Sequence, residues 1–103
     1  MFFGELEALF FFQPFYKGHS APVTTLQWHE ATQRLVSASR DSTLRVWDVK
    51  QEACVFVMEG HTGDVIHFRI AGDIVLSAAQ DQTVRMWSLI DGQCMQVLFY
   101  CDQ

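Results

Sequence analysis

The chain repeats itself, and a repeat of this period constrains the fold more than any local propensity does. Ser37, Ala38, Asp41, Thr43, Arg45 and Trp47 recur in the same order as Ser77, Ala78, Asp81, Thr83, Arg85 and Trp87, at an interval of 40 residues. Upstream, Gly18-His19 and Val23 recur as Gly60-His61 and Val65, at an interval of 42. The second copy has therefore lost two residues. The loss falls where 29–33 of the first copy meets the shorter Ala71-Gly72-Asp73 of the second, and turns between strands tolerate such changes.

Within each copy, β-branched and aliphatic residues come in short runs punctuated by polar or Gly-containing turns, with no helical stripe sustained over ten residues. Four strands per copy are predicted: 23–28, 35–39, 43–48 and 53–58, then 65–70, 74–79, 83–88 and 94–99. Asp91-Gly92 and Gly72-Asp73 accept positive φ, while 39–42 and 79–82 place an Asp where its carboxylate can bond nearby backbone N–H groups. The expected class is all-β.

Composition narrows the function. The chain has 103 residues, one domain's length, and is 50% hydrophobic and 18% charged, too apolar for disorder to dominate. Its formal net charge of −5 opposes binding to nucleic acid or anionic lipid, and no basic run relieves it. Cys54, Cys94 and Cys101 are odd in number and read as packing residues in a reducing, intracellular setting, cytoplasmic or nuclear. Residues 1–15 are Phe-rich, but Glu5 and Glu7 stand where a signal peptide carries positive charge. The longest apolar run there, 8–12, is far short of the ~20 residues of a membrane span, so no membrane partner is expected.

Gly-His, then a Ser, an Asp and a Trp-Asp dipeptide within about 40 residues resembles the WD-repeat family, whose units form the blades of β-propellers. The likeness covers 15–99. It implies two four-stranded antiparallel blades of an incomplete propeller, at 15–58 and 59–99, with an atypical leader at 1–14 and a tail at 100–103. It further implies a buried hydrogen-bond relay in each blade: His19, Ser37, Asp41 and Trp47, then His61, Ser77, Asp81 and Trp87. Ser88 departs from the dipeptide where Asp48 keeps it, at a position outside the relay.

Other chemistries fit less well. Ser, His and Asp together suggest a hydrolase triad, yet the set occurs twice and no Gly-x-Ser-x-Gly elbow accompanies it. His19, His29, His61, His67 and the cysteines lack zinc spacing, and the six glycines form no phosphate loop. No catalysis, metal or cofactor is therefore expected. The resemblance implies a scaffold or adaptor that docks proteins or peptides. Residues 35–50 are also similar to the sixteen-residue box by which some WD-repeat proteins serve as substrate receptors of cullin-type ubiquitin ligases, with Asp41, Trp47, Asp48 and Lys50 on its marked positions. Asp48 and Lys50 would be the adaptor contacts; the second copy fails the box at Ser88 and Ile90.

Propellers of the family have about 4 to 8 blades, so two blades leave sheet faces uncovered. Tyr100-Cys101 stands where another Gly-His would begin, and 10–16 stands where the outer strand of a preceding blade would lie. The expectation is that the rest of a ring is missing. The chain would then self-associate, complete an incomplete partner, or be a truncated product without activity of its own.

Overall fold

The computed structural model describes residues 19–51 and 53–99. The expected leader, the edge strand at 10–16, Gly18, Cys101 and the tail lie outside the described residues. Eight strands follow in order: β1 (Val23–His29), β2 (Arg34–Ser39), β3 (Leu44–Asp48), β4 (Ala53–Met58), β5 (Val65–Ala71), β6 (Ile74–Ala79), β7 (Thr83–Ser88) and β8 (Cys94–Phe99). They form two four-stranded sheets, β1-β2-β3-β4 and β5-β6-β7-β8, antiparallel throughout. Among the described residues there is no helix. These are the two antiparallel blades that the family resemblance implied.

Their departures from the predicted boundaries have local causes. β1 runs one residue further, to His29, and β2 begins at Arg34 because those two residues pair. β3 begins at Leu44, whose partner Met58 ends β4, while the backbone N–H and hydroxyl of Thr43 both turn to the Asp41 carboxylate, at 2.9 and 2.6 Å. In the second blade Thr83 makes the same two bonds to Asp81 but stays in its strand, paired with Phe99.

Register irregularities recur at equivalent places, between Val23 and Thr25 and between Val65 and His67 on the first strands. They recur again between Val46 and Trp47 and between Met86 and Trp87 on the third strands. Each such irregularity re-aims the side chains beyond it, so the two blades aim theirs alike.

The blades stack face to face. Alternation along the strands puts Val36, Ala38, Leu44, Val46 and Met58 on one face of the first blade, buried against Val65, Phe68, Val75, Trp87 and Leu89 of the second. Phe56 and Ile70 pack at the margin of this core. A Cβ at Gly92 (φ +74°) would stand 2.7 Å from the Phe56 ring, so the β7–β8 turn needs glycine for both its conformation and its contact. On the opposite face of the first blade, Leu35, Trp47 and Val49 are buried, with Val23, Leu26, Trp28 and Cys54 packed against them.

Four side chains of β1 lace the stack along one edge. Thr24 Oγ1 donates to the Val65 carbonyl (2.7 Å), Thr25 Oγ1 to Ile66 (3.3 Å), Gln27 Nε2 to Phe68 (3.1 Å), and His29 Nε2 lies 2.7 Å from the Gly72 carbonyl. A carbonyl only accepts, so Nε2 of His29 carries the proton and Nδ1 accepts from the Thr32 hydroxyl at 2.6 Å.

Candidate functional site

Each blade holds one cluster of buried polar side chains, and the two are near-copies. In the first, the Trp47 indole N–H donates to Ser37 Oγ (2.8 Å), which is 2.7 Å from His19 Nε2, while His19 Nδ1 is 2.9 Å from Asp41 Oδ2. In the second, the same atoms of Trp87, Ser77, His61 and Asp81 lie 2.8, 2.7 and 3.1 Å apart.

The proton arrangement follows from the acceptors. An ionised carboxylate only accepts, which places a hydrogen on Nδ1; Nε2 is then an acceptor and takes the serine proton, leaving the serine lone pairs for the indole. The chain of bonds runs one way, from Trp to Ser to His to Asp.

The turns supply the rest. Asp41 also accepts from the Ser20 N–H (3.0 Å), the Thr43 N–H and the Thr43 hydroxyl. Asp81 accepts from the Thr62 N–H (2.9 Å), the Thr83 N–H (3.0 Å) and the Thr83 hydroxyl (2.6 Å). Burial works against these carboxylates, but the hydrogen bonds led by the threonine hydroxyl outweigh it and hold both at about 2. For His19 and His61 burial is the larger influence and wins over the neighbouring carboxylate, so both imidazoles sit below their ordinary value and stay neutral at pH 7.

Arg45 and Arg85 complete each cluster. Their guanidinium carbons lie 5.8 and 6.0 Å from the Trp47 and Trp87 rings, and Nη1 reaches Sγ of Cys54 and Cys94 at 3.6 and 3.7 Å. Gly60 (φ +156°) holds a backbone conformation that side-chain-bearing residues rarely adopt, and a Cβ on it would also press on the end of the Arg85 side chain.

The connectivity of serine, imidazole and carboxylate is that of a nucleophile activated by a base, but both hydroxyls are 0% exposed and already hold an indole N–H. A substrate carbonyl has no route to either. The arrangement can cross-link strands: each cluster ties the segment before the first strand to the second strand, the second-to-third turn and the third strand.

Of the remaining residues singled out in the sequence, Asp48 lies at the end of β3, accepting from the Gln51 N–H (3.1 Å) and 3.9 Å from Arg34 Nε. Lys50 is exposed in the following turn. His29 belongs to the lacing between blades and His67 is exposed. Among the described residues no three His, Cys, Asp or Glu side chains come close enough to hold a metal ion.

Residue reading missed Thr43 and Thr83 as partners of the aspartates, and it missed the row Thr24, Thr25, Gln27 and His29. The threonines recur at the repeat interval, which was a usable signal; the lacing row does not recur.

Stacked four-stranded blades, each carrying the same internal polar cluster, define a protein built from repeated propeller-type blades. The chain belongs to the WD domain, G-beta repeat family, whose pattern matches residues 11–48 and 52–88. Domains of this family mediate protein–protein interactions and are generally non-catalytic. The chain is similar to pre-mRNA-processing factor 19 of Bos taurus, 36% identical over 62 residues, which are 58% of this chain and 12% of that protein. It is 46% identical over 46 residues to cell division control protein 4 of Saccharomyces cerevisiae, covering 45% and 6% of the two. F-box/WD repeat-containing protein 10 of Mus musculus is 40% identical over 50 residues, 48% and 5%. The chain thus spans a small part of each of these relatives.

Proposed function

We propose that the chain is a non-catalytic scaffold or adaptor whose exposed turns dock a protein or peptide. One observation carries this reading: the Ser, His and Asp side chains of both clusters, which have the residue types of a catalytic triad, are turned inward and bonded to one another. What the surface offers a partner is a pair of rigid rims. At the end nearer the aspartates these are Ser20, Arg40, Thr62, Gln80 and Gln82, which are all exposed. A net charge of −5 favours a protein partner over a polyanion. Unbridged Cys54 and Cys94 suit an intracellular setting, cytoplasmic or nuclear.

The test uses a protein captured by proximity labelling and then titrated against the purified chain. Arg40→Glu and Gln80→Glu should weaken binding without changing the melt. Binding that survives both, and that strengthens when Asp41→Ala loosens the fold, would mark adhesion to unfolded chain and end the scaffold reading.

A narrower version is a substrate receptor of a cullin-type ubiquitin ligase, favoured by the likeness of 35–50 to the ligase box. The Asp48 carboxylate, held by Gln51 and Arg34, sits two residues from exposed Lys50. Asp48→Ala and Lys50→Glu should each abolish binding to a cullin adaptor while the melt holds. Unchanged adaptor binding in both variants removes this version alone.

A further inference from the structure

Arg85 is held by groups that restrain its charge without neutralising it. Its guanidinium carbon stands 6.0 Å from the centre of the Trp87 ring. The group lies between Gly60, two residues past the end of β4, and Cys94, the first residue of β8. Nη1 finds Cys94 Sγ at 3.7 Å, and sulfur is a weak acceptor. Nε is buried and has no partner among the described residues.

Carboxylates are not scarce in this chain, which carries 12 acidic residues against 7 basic ones. Yet the ion pairs among the described residues are His19–Asp41, Arg34–Asp48 and His61–Asp81, and none includes Arg85. Arg45 repeats the arrangement 40 residues earlier: its guanidinium carbon is 5.8 Å from the Trp47 ring, Nη1 is 3.6 Å from Cys54 Sγ, and Nε is buried without a partner. A donor orphaned twice, in equivalent places, is built in by the sequence and calls for a partner from outside the blade.

The half-buried guanidinium has already given up part of its hydration, and a cation taken from water without a counter-charge is costly. An oxyanion arriving at its outer end offsets that cost. The indole and the thiol hold the planar group in place beforehand, so little further ordering is needed to bind it. A net charge of −5 repels polyanions, which leaves a single acid carried on a protein surface as the anion that fits.

We infer that Arg85 is a receptor for one carboxylate, the Asp or Glu side chain of a protein partner, which enters between Gly60 and Cys94 and takes the Nη1–Nη2 end of the guanidinium in two parallel bonds. Gly60 and Cys94 are both exposed, and the thiol gives way to the better acceptor. The occupant rests on the scaffold reading above; the anion site does not. Gly18, the counterpart of Gly60 beside Arg45, lies outside the described residues, so the assignment is made for Arg85.

Nitrogen-15 NMR of the arginine side chains tests the site with small anions and no protein partner. At constant ionic strength, exchanging sodium chloride for sodium acetate should move the Arg85 Nε–H signal saturably and leave those of exposed Arg40 and Arg69 in place. The Cys94 amide should move with it, and in Arg85→Lys, which keeps the charge but loses the fork, that movement should vanish. Equal movement of all three arginines, or none at Arg85, overturns the site. A response to inorganic phosphate with none to acetate overturns the choice of a carboxylate. The occupant is tested with the partner captured by proximity labelling, whose affinity should fall about tenfold in Arg85→Lys, the loss expected for one charge-assisted hydrogen bond. Unchanged affinity in that variant overturns the occupant. Failure to capture any partner takes the occupant down with the scaffold reading, while the acetate result stands.

Discussion

Asp41 and Asp81 each receive four hydrogen bonds, from an imidazole, two backbone N–H groups and a hydroxyl. Removing the carboxylate leaves the imidazole N–H and the threonine groups without a partner inside the fold, at roughly 1–3 kcal/mol per stranded network. Asp81→Ala should therefore lower the melting temperature by at least about 5 °C, given roughly 4–8 °C per kcal/mol in a domain of this size. Asp41→Ala should do the same, and circular dichroism melts showing no change in either would deny the carboxylates this role.

The same groups set the response to acid. His19 and His61 lie below 6.5 in the folded chain, so the unfolded chain takes up their protons first. The stability linked to them is complete above 6.5 and is lost as pH falls through the depressed folded values. The aspartates act lower, their contribution complete above 3.8 and lost on the way to about 2. The melting temperature should be level above pH 7, decline below 6.5 and drop again below 4; a level profile down to pH 5 would contradict the histidine part.

At the scale of strands, β1 both pairs with β2 and laces the blades, whereas β8, among the described residues, pairs only with β7 and is exposed along most of its length. Gln27→Leu removes the donor to the Phe68 carbonyl and should cost about 1 kcal/mol. Hydrogen exchange should show the loss as faster opening of β5, with β3 unchanged, and β8 should be the first strand to exchange in the unaltered chain. Equal acceleration in β3 and β5 would show the bond to be incidental to the stack.

Much of this scale was legible in the sequence, because short alternating runs between turn residues require no tertiary information: β4, β6, β7 and β8 fall where the pattern puts them. The lacing was not. Its acceptors are backbone carbonyls, which have no signature in side chains, and its donors Thr24, Thr25, Gln27 and His29 stand opposite Ile66, His67, Arg69 and Ala71, so comparison of the copies passes over them. Thr43 failed differently: at the head of an apolar run a threonine reads as a strand former, and only its proximity to Asp41 makes its hydroxyl a ligand of the carboxylate.

For the molecule as a whole, the two internal clusters make separable contributions to stability. Each lies within its own blade and shares no hydrogen-bond partner with the other, while the apolar core between the blades joins them. Independent sites without shared partners add to within about 0.3–0.5 kcal/mol. The double variant Asp41→Ala with Asp81→Ala should therefore lose about the sum of the two single losses in a denaturant titration. A loss well short of that sum would mean that opening one cluster already loosens the other through the shared core, joining the two blades into one unit that the hydrogen bonds keep apart.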